Sequence, residues 1–372
     1  MTYDAIVLGT GAIGSAALWR LAVRGHRVLG LDQFSPPHDQ GSAHGQTRMI
    51  RQAYFEHPDY VPLVLEGYRL WRELEQVLGT SLYRETGVLQ AGPPDGTVVR
   101  GVLTTAAEHD LPVEVLSPAE VQQRWPGFRL SEELVGVFEQ RAGYLDVEGC
   151  VSGCLEAARR SGAETRSGVV VHGWTSGADV VVHTSQGDFR TAKLVVAAGP
   201  WAASLLHDAG LSLQVLRKVM CWFGADAAEL QESAGFPSFV FDLPEGVFYG
   251  FPAFDDAGLK AAQHTGGQPY AAPDQVDRTV HASDWEPVER VLRAHIPAAG
   301  GRRAAKTCLY TMSCDGHFLV DRLAADPRIA FAAGLSGHGF KFATVLGEAL
   351  ADLAIEGSSR LPIGFLQAAG RG

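Results

Sequence analysis

No apolar run in this chain reaches the roughly 18 residues that a membrane-spanning helix needs. No charged n-region, apolar h-region and cleavage site come before the first strand-like segment, Tyr3 to Leu8, so a soluble, intracellular, cytoplasmic protein is expected. Cysteine is scarce. The five present, Cys150, Cys154, Cys221, Cys308 and Cys314, are an odd number without the density of a disulfide framework, which suits a reducing compartment. No set of Cys and His has zinc-ligand spacing, so no metal is expected. Cys150 and Cys154, one helical turn apart, read as small buried apolar residues. Positive charge is also in short supply: 31 Lys and Arg against 42 Asp and Glu give a net charge of -11. This balance argues against nucleic acid and anionic membrane as partners, but it leaves the substrate open, because a site can be basic inside an acidic protein.

What is present is ordinary globular material, 46 % apolar and 20 % charged over 372 residues, a length expected to fold as two domains. The most informative stretch is the N-terminus. Tyr3 to Leu8 reads as a strand, Gly9-Thr10-Gly11-Ala12-Ile13-Gly14 as a glycine turn, the run to Arg24 as an amphipathic helix, and His26 to Leu31 as a second strand ending at Asp32. Gly9, Gly11 and Gly14 have G-x-G-x-x-G spacing, which allows a tight turn, backbone approach to a pyrophosphate, and close helix–strand packing. The pyrophosphate would sit on the free N–H groups and positive end of the helix. Asp32 is placed to accept from a ribose diol and to repel a 2′-phosphate, so the fingerprint points to FAD or NAD rather than NADP.

After a Pro/Gly/Ser-rich loop, His44, Thr47, Arg48 and Arg51 follow; if a helix starts near Ser42 or Thr47, Arg48 and Arg51 share a face and ask for an anion between them, the plainer reading being surface arginines bound to acids. Tyr60 to Leu78 has a long helical pattern, and Ser81 to Ala91 alternates like one strand up to a turn at Gly92 to Gly96. Helices are expected around Ala106 and from Ser117 to Arg124, the latter opened by Ser117-Pro118-Ala119-Glu120. Val147 to Arg160 reads as a helix, Val169 to Val171 and Val180 to Val182 as short strands, and Lys193 to Trp201 as an apolar strand beside the first one that runs into Ala198-Gly199. From Gln214 to Thr311 aromatic and β-branched residues dominate, consistent with an antiparallel sheet lining a pocket; Lys260, Gln263 and His264 interrupt it, and a lysine there most often faces solvent. The tail repeats the opening: strand Ile329 to Ala333, a glycine turn, and a helix to Ile355. Lys341 stands near that helix start, against the macrodipole, which suggests an anion to meet.

Four segments, Gly41 to Arg51, Tyr249 to Pro252, Thr307 to Thr311 and Leu335 to Phe342, stand in an order and spacing that resembles the monomeric sarcosine oxidase and N-methyltryptophan oxidase family of flavoproteins, over almost the whole chain. The resemblance implies an α/β protein with an FAD-binding, glutathione-reductase-type Rossmann-like domain (1–82, 146–213 and 312–372) and a β-rich α+β substrate domain (83–145 and 214–311). It implies FAD, covalently attached to Cys308 in a C-x-Y context with Tyr310; Cys314 lacks that tyrosine, and Lys306 would help lower the thiol pKa. Gly9, Gly11, Ile13, Gly14, Asp32, Ser42, Thr47, Arg48, Val171, Ala198, Gly199, Trp201, Gly337, Gly339, Phe340 and Lys341 would contact the cofactor.

On the same resemblance, Arg51 and Lys341 would grip the substrate carboxylate, supplying the anion both seem to lack; Tyr249 and Val240 would line the substrate pocket, and His264 would contact the amine side, biasing its protonation by charge. Arg48 and His44 would pack close to the flavin ring, and Lys260 would promote reaction with oxygen. The implied activity is oxidation of a secondary, N-methyl amino acid to an imine that hydrolyses, with hydrogen peroxide as co-product, by a monomer. Oxidases of cyclic or primary amino acids, a dehydrogenase using another acceptor, a flavin-binding protein without catalysis, and an NAD enzyme are the alternatives. Val240 stands where sarcosine-preferring members carry a larger Met, which implies room for a bulkier substrate, and Ala43 and Gln46 replace a His and an Asp common in the family's loop.

Overall fold

The computed structural model describes residues 2–369 and 371. The opening folds as its pattern predicts: strand Thr2–Leu8, helix Ala12–Val23, strand Val28–Leu31. Thr2–Leu8 is central in an eight-stranded sheet, pairing in parallel with Val28–Leu31 on one side and with Gly187–Val196 on the other. Ile329–Ala333 lies parallel beyond Gly187–Val196, so the two strands that end in glycine turns both meet the first strand's neighbourhood at their carboxyl ends. That edge is where an open parallel sheet accepts a ligand.

The first helix is not amphipathic. Ile13 through Ala22, apart from the half-buried Arg20, is buried all round, because the helix is wedged between the sheet and two others, Val147–Arg160 and Ala343–Ile355. A Cβ on Gly347 would stand 2.6 Å from the Ala17 amide nitrogen, so only glycine lets these helices touch backbone to backbone. Tyr60–Leu78 forms as predicted and buries Leu63, Val64, Leu70, Trp71 and Leu74, each worth about 1.5–3 kcal/mol of transfer free energy. Pro118–Arg124 starts with a Ser117/Glu120 capping box.

The β-rich part is a nine-stranded sheet with Leu213–Phe223, Leu259–Gln263, Gly246–Phe251, Ser238–Leu243, Val88–Gly92 and Val135–Glu139 as consecutive neighbours, and Arg302–Ser313 paired along Leu213–Phe223. All these pairings are antiparallel except Ser238–Leu243 with Val88–Gly92. The segment expected as one strand, Ser81 to Ala91, is two: Tyr83–Arg84 belongs to a separate three-stranded sheet, and Val88–Gly92 to the large one. The break falls at Gly87, whose φ of 71° only glycine adopts easily and whose missing Cβ leaves room for the Phe138 ring. Arg48 is likewise on a strand, Thr47–Ile50, rather than a helix; it pairs antiparallel with Gly143–Asp146, and that pairing, invisible to local periodicity, decides the conformation.

Candidate active site

Between the two large sheets lies a cavity of about 430 Å³, lined by side chains from almost every segment singled out in the sequence. At one end it is made of backbone. Gly9 takes φ 81°, and a Cβ there would stand 2.6 Å from the Ala197 carbonyl oxygen; one on Gly14 would stand 1.7 Å from the Gly9 carbonyl oxygen. Gly11, by contrast, faces open space as the helix N-cap, with no side chain capping it. The helix start is therefore presented to the cavity, flanked by Ile13, Asp32, Val171, Ala198, Gly199 and Trp201. Asp32 is fixed by the Thr10 N–H on Oδ2 at 2.7 Å and the Phe34 N–H on Oδ1 at 2.9 Å. From the tail come Gly337, Gly339 and Phe340; Gly337, at φ 81°, lies under the Tyr310 ring, which a Cβ would meet at 2.2 Å.

The other end is made of charged and aromatic side chains. Arg51 and Lys341, 3 % and 5 % exposed, both lie against the Tyr54 ring, at 4.5 Å and 5.0 Å from its centroid. Lys341 Nζ donates to the His338 carbonyl at 2.8 Å. Burial, with the Arg51 charge adding to it, lowers the Lys341 ammonium to about 7. Arg51 does not lack an anion: it donates to both Glu56 oxygens, at 2.8 and 2.7 Å. Burial alone would raise the Glu56 carboxyl, but Arg51, helped by His338 and Lys341, outweighs it and holds it at about 2. His264 accepts or donates at Nδ1 to the Tyr310 hydroxyl at 3.3 Å, and burial lowers it to about 4, so it acts as a neutral dipole rather than through a charge. Burial also raises Tyr249 and Tyr310, which keep their protons. Val240, 4 % exposed, completes this wall.

A model of FAD-dependent oxidoreductases matches residues 4–353. The chain belongs to the FAD-dependent oxidoreductase family. It is 39 % identical to a monomeric sarcosine oxidase of Streptomyces avermitilis, over 98 % of this chain and 96 % of that one. It is 38 % identical to an N-methyl-L-tryptophan oxidase of Yersinia pestis, over 98 % of both. Among solved structures, NikD, described as an unusual amino acid oxidase essential for nikkomycin biosynthesis, superposes with a TM-score of 0.88 at 25 % identity, covering 98 % of this chain and 97 % of its own. The FAD of this family fits the residues present: a tight glycine turn that Gly9 and Gly14 permit and whose Gly11 faces open space, a helix start without a side-chain cap, and a buried acid at the end of the second strand.

Of the expected site residues of this FAD-dependent oxidoreductase, Gly14, His44, Thr47, Lys260 and Cys308 do not themselves line the cavity, whereas Ser42 and Arg48 do, and the Cys308 sulfur lies against Arg48. Lys260, 1 % exposed, is not on a solvent face. Its Nζ donates to the Gly45 and Thr47 carbonyls and to Thr47 Oγ1 at 2.5, 2.9 and 3.1 Å, and burial holds its ammonium well down. His44 is buried with neither ring nitrogen partnered, and burial lowers it to about 3. Cys308 is buried with Arg48 Nη2 3.5 Å from its sulfur, whereas Lys306, expected to serve the thiol, is paired with Asp39 at 3.0 Å on the surface. Cys314 is exposed. Gln46, the departure in the loop, takes φ 69° and is held by the Trp222 indole N–H at 2.7 Å and by Asp255 at 2.8 Å. Sequence reasoning missed Tyr54, Glu56 and His338. Glu56, five residues after Arg51, was findable as a charge partner, but Tyr54 and His338 carry no local signal.

Proposed function

We propose that this chain oxidises N-methyl amino acids, sarcosine or a bulkier N-methyl-L-amino acid, with oxygen as acceptor and hydrogen peroxide as product. In this reading it works as a cytoplasmic monomer whose FAD is covalently attached at Cys308. The observation that carries the reading is the pair of buried cations against one tyrosine ring, at the far end of a cavity that opens on a dinucleotide cradle. When bound, the flavin supplies the two-electron acceptor. Gly9, Gly11 and Asp32 would hold its dinucleotide half, and Arg48 and Cys308 its ring.

Arg51 and Lys341 bind the carboxylate, by a planar fork and a point charge. The amine side is uncharged, with His264, Tyr249 and Tyr310 all neutral near pH 7. Burial against this neutral wall disfavours an ammonium, so the substrate is held as free amine with its lone pair exposed. No catalytic base is then required. Lys260, whose Nζ donates to three oxygens of the Gly45–Thr47 loop that favour its ammonium against burial, would supply a charge for the oxygen half of the reaction in a dry environment. The names of the relatives, an oxidase of sarcosine and one of N-methyl-L-tryptophan, support the substrate class.

The test is the visible spectrum of acid-precipitated protein, with peroxide assayed over a panel of N-methyl, cyclic and primary amino acids. Flavin colour should stay in the washed pellet of the wild type and move to the supernatant in Cys308→Ala. Peroxide should appear with N-methyl substrates; peroxide only with cyclic or primary amino acids, or substrate consumption without peroxide, would overturn the assignment.

A further inference from the structure

Gln90 is completely buried, yet neither the nitrogen nor the oxygen of its side-chain amide has a hydrogen-bond partner. Native cores rarely keep such a group without a use for it. The polar side chains beside it on the neighbouring strands hydrogen-bond elsewhere: Ser238 with Thr86, Asp242 with the Val98 N–H, and Glu139 with the Gln52 and Ala53 N–H groups. Alternation along Val88–Gly92 puts Leu89 and Ala91 into one apolar core, and puts Gln90 with Val88 on the opposite face, among Val98, Val102, Val137 and Val240. Its place in the sheet shows what it is next to. Tyr249, Val240 and Gln90 are register neighbours on three adjacent strands and form one cross-strand row. Tyr249 and Val240 both line the cavity, and so do Phe55 and Val247, which pack on this same face. With strands about 4.8 Å apart, Gln90 is the next position along the row beyond the cavity wall, directly behind Val240.

We propose that Gln90 determines substrate specificity, its amide meeting the end of a substrate side chain that passes Val240. This deepens, and rests on, the reading of the site as one for N-methyl amino acids. A primary amide offers a donor pair and an acceptor together, so its best complement is another carboxamide; a charged end would be desolvated there, and the buried Glu139 on the same face would repel an anionic one. The substrate class is therefore an N-methyl amino acid with an uncharged, hydrogen-bonding side chain. A site that hydrogen-bonds its substrate discriminates strongly against an analogue of equal size that lacks the group.

The experiment compares N-methyl-L-glutamine, N-methyl-L-methionine and N-methyl-L-glutamate on the holoenzyme, wild type and Gln90→Met, by kcat/KM and by ligand-induced thermal shift. The wild type should prefer the glutamine derivative over the methionine derivative by about tenfold or more, and over the glutamate derivative by at least as much. Gln90→Met should abolish or reverse the first preference. A wild type without that preference, or a preference that survives in Gln90→Met, would overturn the proposal. The wild-type panel decides by itself if the variant does not fold. If no N-methyl compound is oxidised, the assigned activity fails, while thermal shifts with unmethylated glutamine and methionine still score Gln90: selective stabilisation by glutamine upholds it and equal shifts overturn it.

Discussion

The two ends of the cavity are built from different material. The cofactor end is backbone: Gly9, Gly11, Gly337 and Gly339 line it, with Gly14 packed directly against Gly9, and its buried acid, Asp32, is already satisfied by two N–H groups. The substrate end is side chain: Arg51, Lys341, Glu56, His338, His264 and Tyr54 come from distant parts of the chain, and their charges and protonation depend on one another. A backbone site fails when an atom is added to it. A side-chain site fails when a partner is taken away.

The largest expected effect tests the first half of that contrast. Gly14→Val would place a Cβ 1.7 Å from the Gly9 carbonyl oxygen, where no flexible group can give way. The variant should lose bound flavin completely, read as absorbance at the flavin bands against protein. A yellow, soluble Gly14→Val protein would mean that the cradle is less rigid than its geometry indicates.

At the other end, Arg51→Ala should cost about 3–5 kcal/mol of stability in denaturant unfolding, because it leaves the Glu56 carboxylate buried without its partner. Adding Glu56→Gln should recover most of that stability without restoring affinity for an N-methyl amino acid. Unchanged affinity in both variants would remove Arg51 from the site. Lys260→Met should slow reoxidation by oxygen about a hundredfold while anaerobic reduction by substrate changes far less; equal losses in both half-reactions would rule out its assigned part.

The smallest effect is a pH dependence. Lys341 is charged below about 7 in the free protein, and a bound carboxylate raises that value. Affinity for a carboxylate inhibitor should therefore be flat below pH 7 and fall about tenfold per unit above it, with proton uptake on binding. Glu56, His338 and His264, at about 2, 3 and 4, do not titrate in that window. Lys341→Met should abolish the slope, and a slope that persists would assign it to another group.

How much of this was legible follows the same division. The strand, glycine turn, helix and acid from Thr2 to Asp32 are consecutive, and each residue's part follows from local rules of spacing and conformational freedom, so the cofactor end could be read directly. The helix Tyr60–Leu78 was legible to its ends, since its apolar period and the Gly79 cap are local. The conformation at Arg48, where a helix was one option, could not be read locally because its strand is stabilised by Gly143–Asp146, nearly a hundred residues away. The segment from Ser81 misled for the same reason, its two strands going to different sheets.

By itself, then, the sequence determined the dinucleotide cradle, the alternation of helix and strand around it, and the residue types from which a carboxylate-binding, aromatic pocket could be built. Only the tertiary structure decided what those side chains are. Packing buried Lys260 behind a loop, gave Arg51 a carboxylate of its own, moved the cation beside Cys308 from Lys306 to Arg48, and made His264 neutral. The physical reason is that a charge or a protonation state is a property of burial and of partners, and in this protein the partners are brought together by sheets that join residues far apart in the chain.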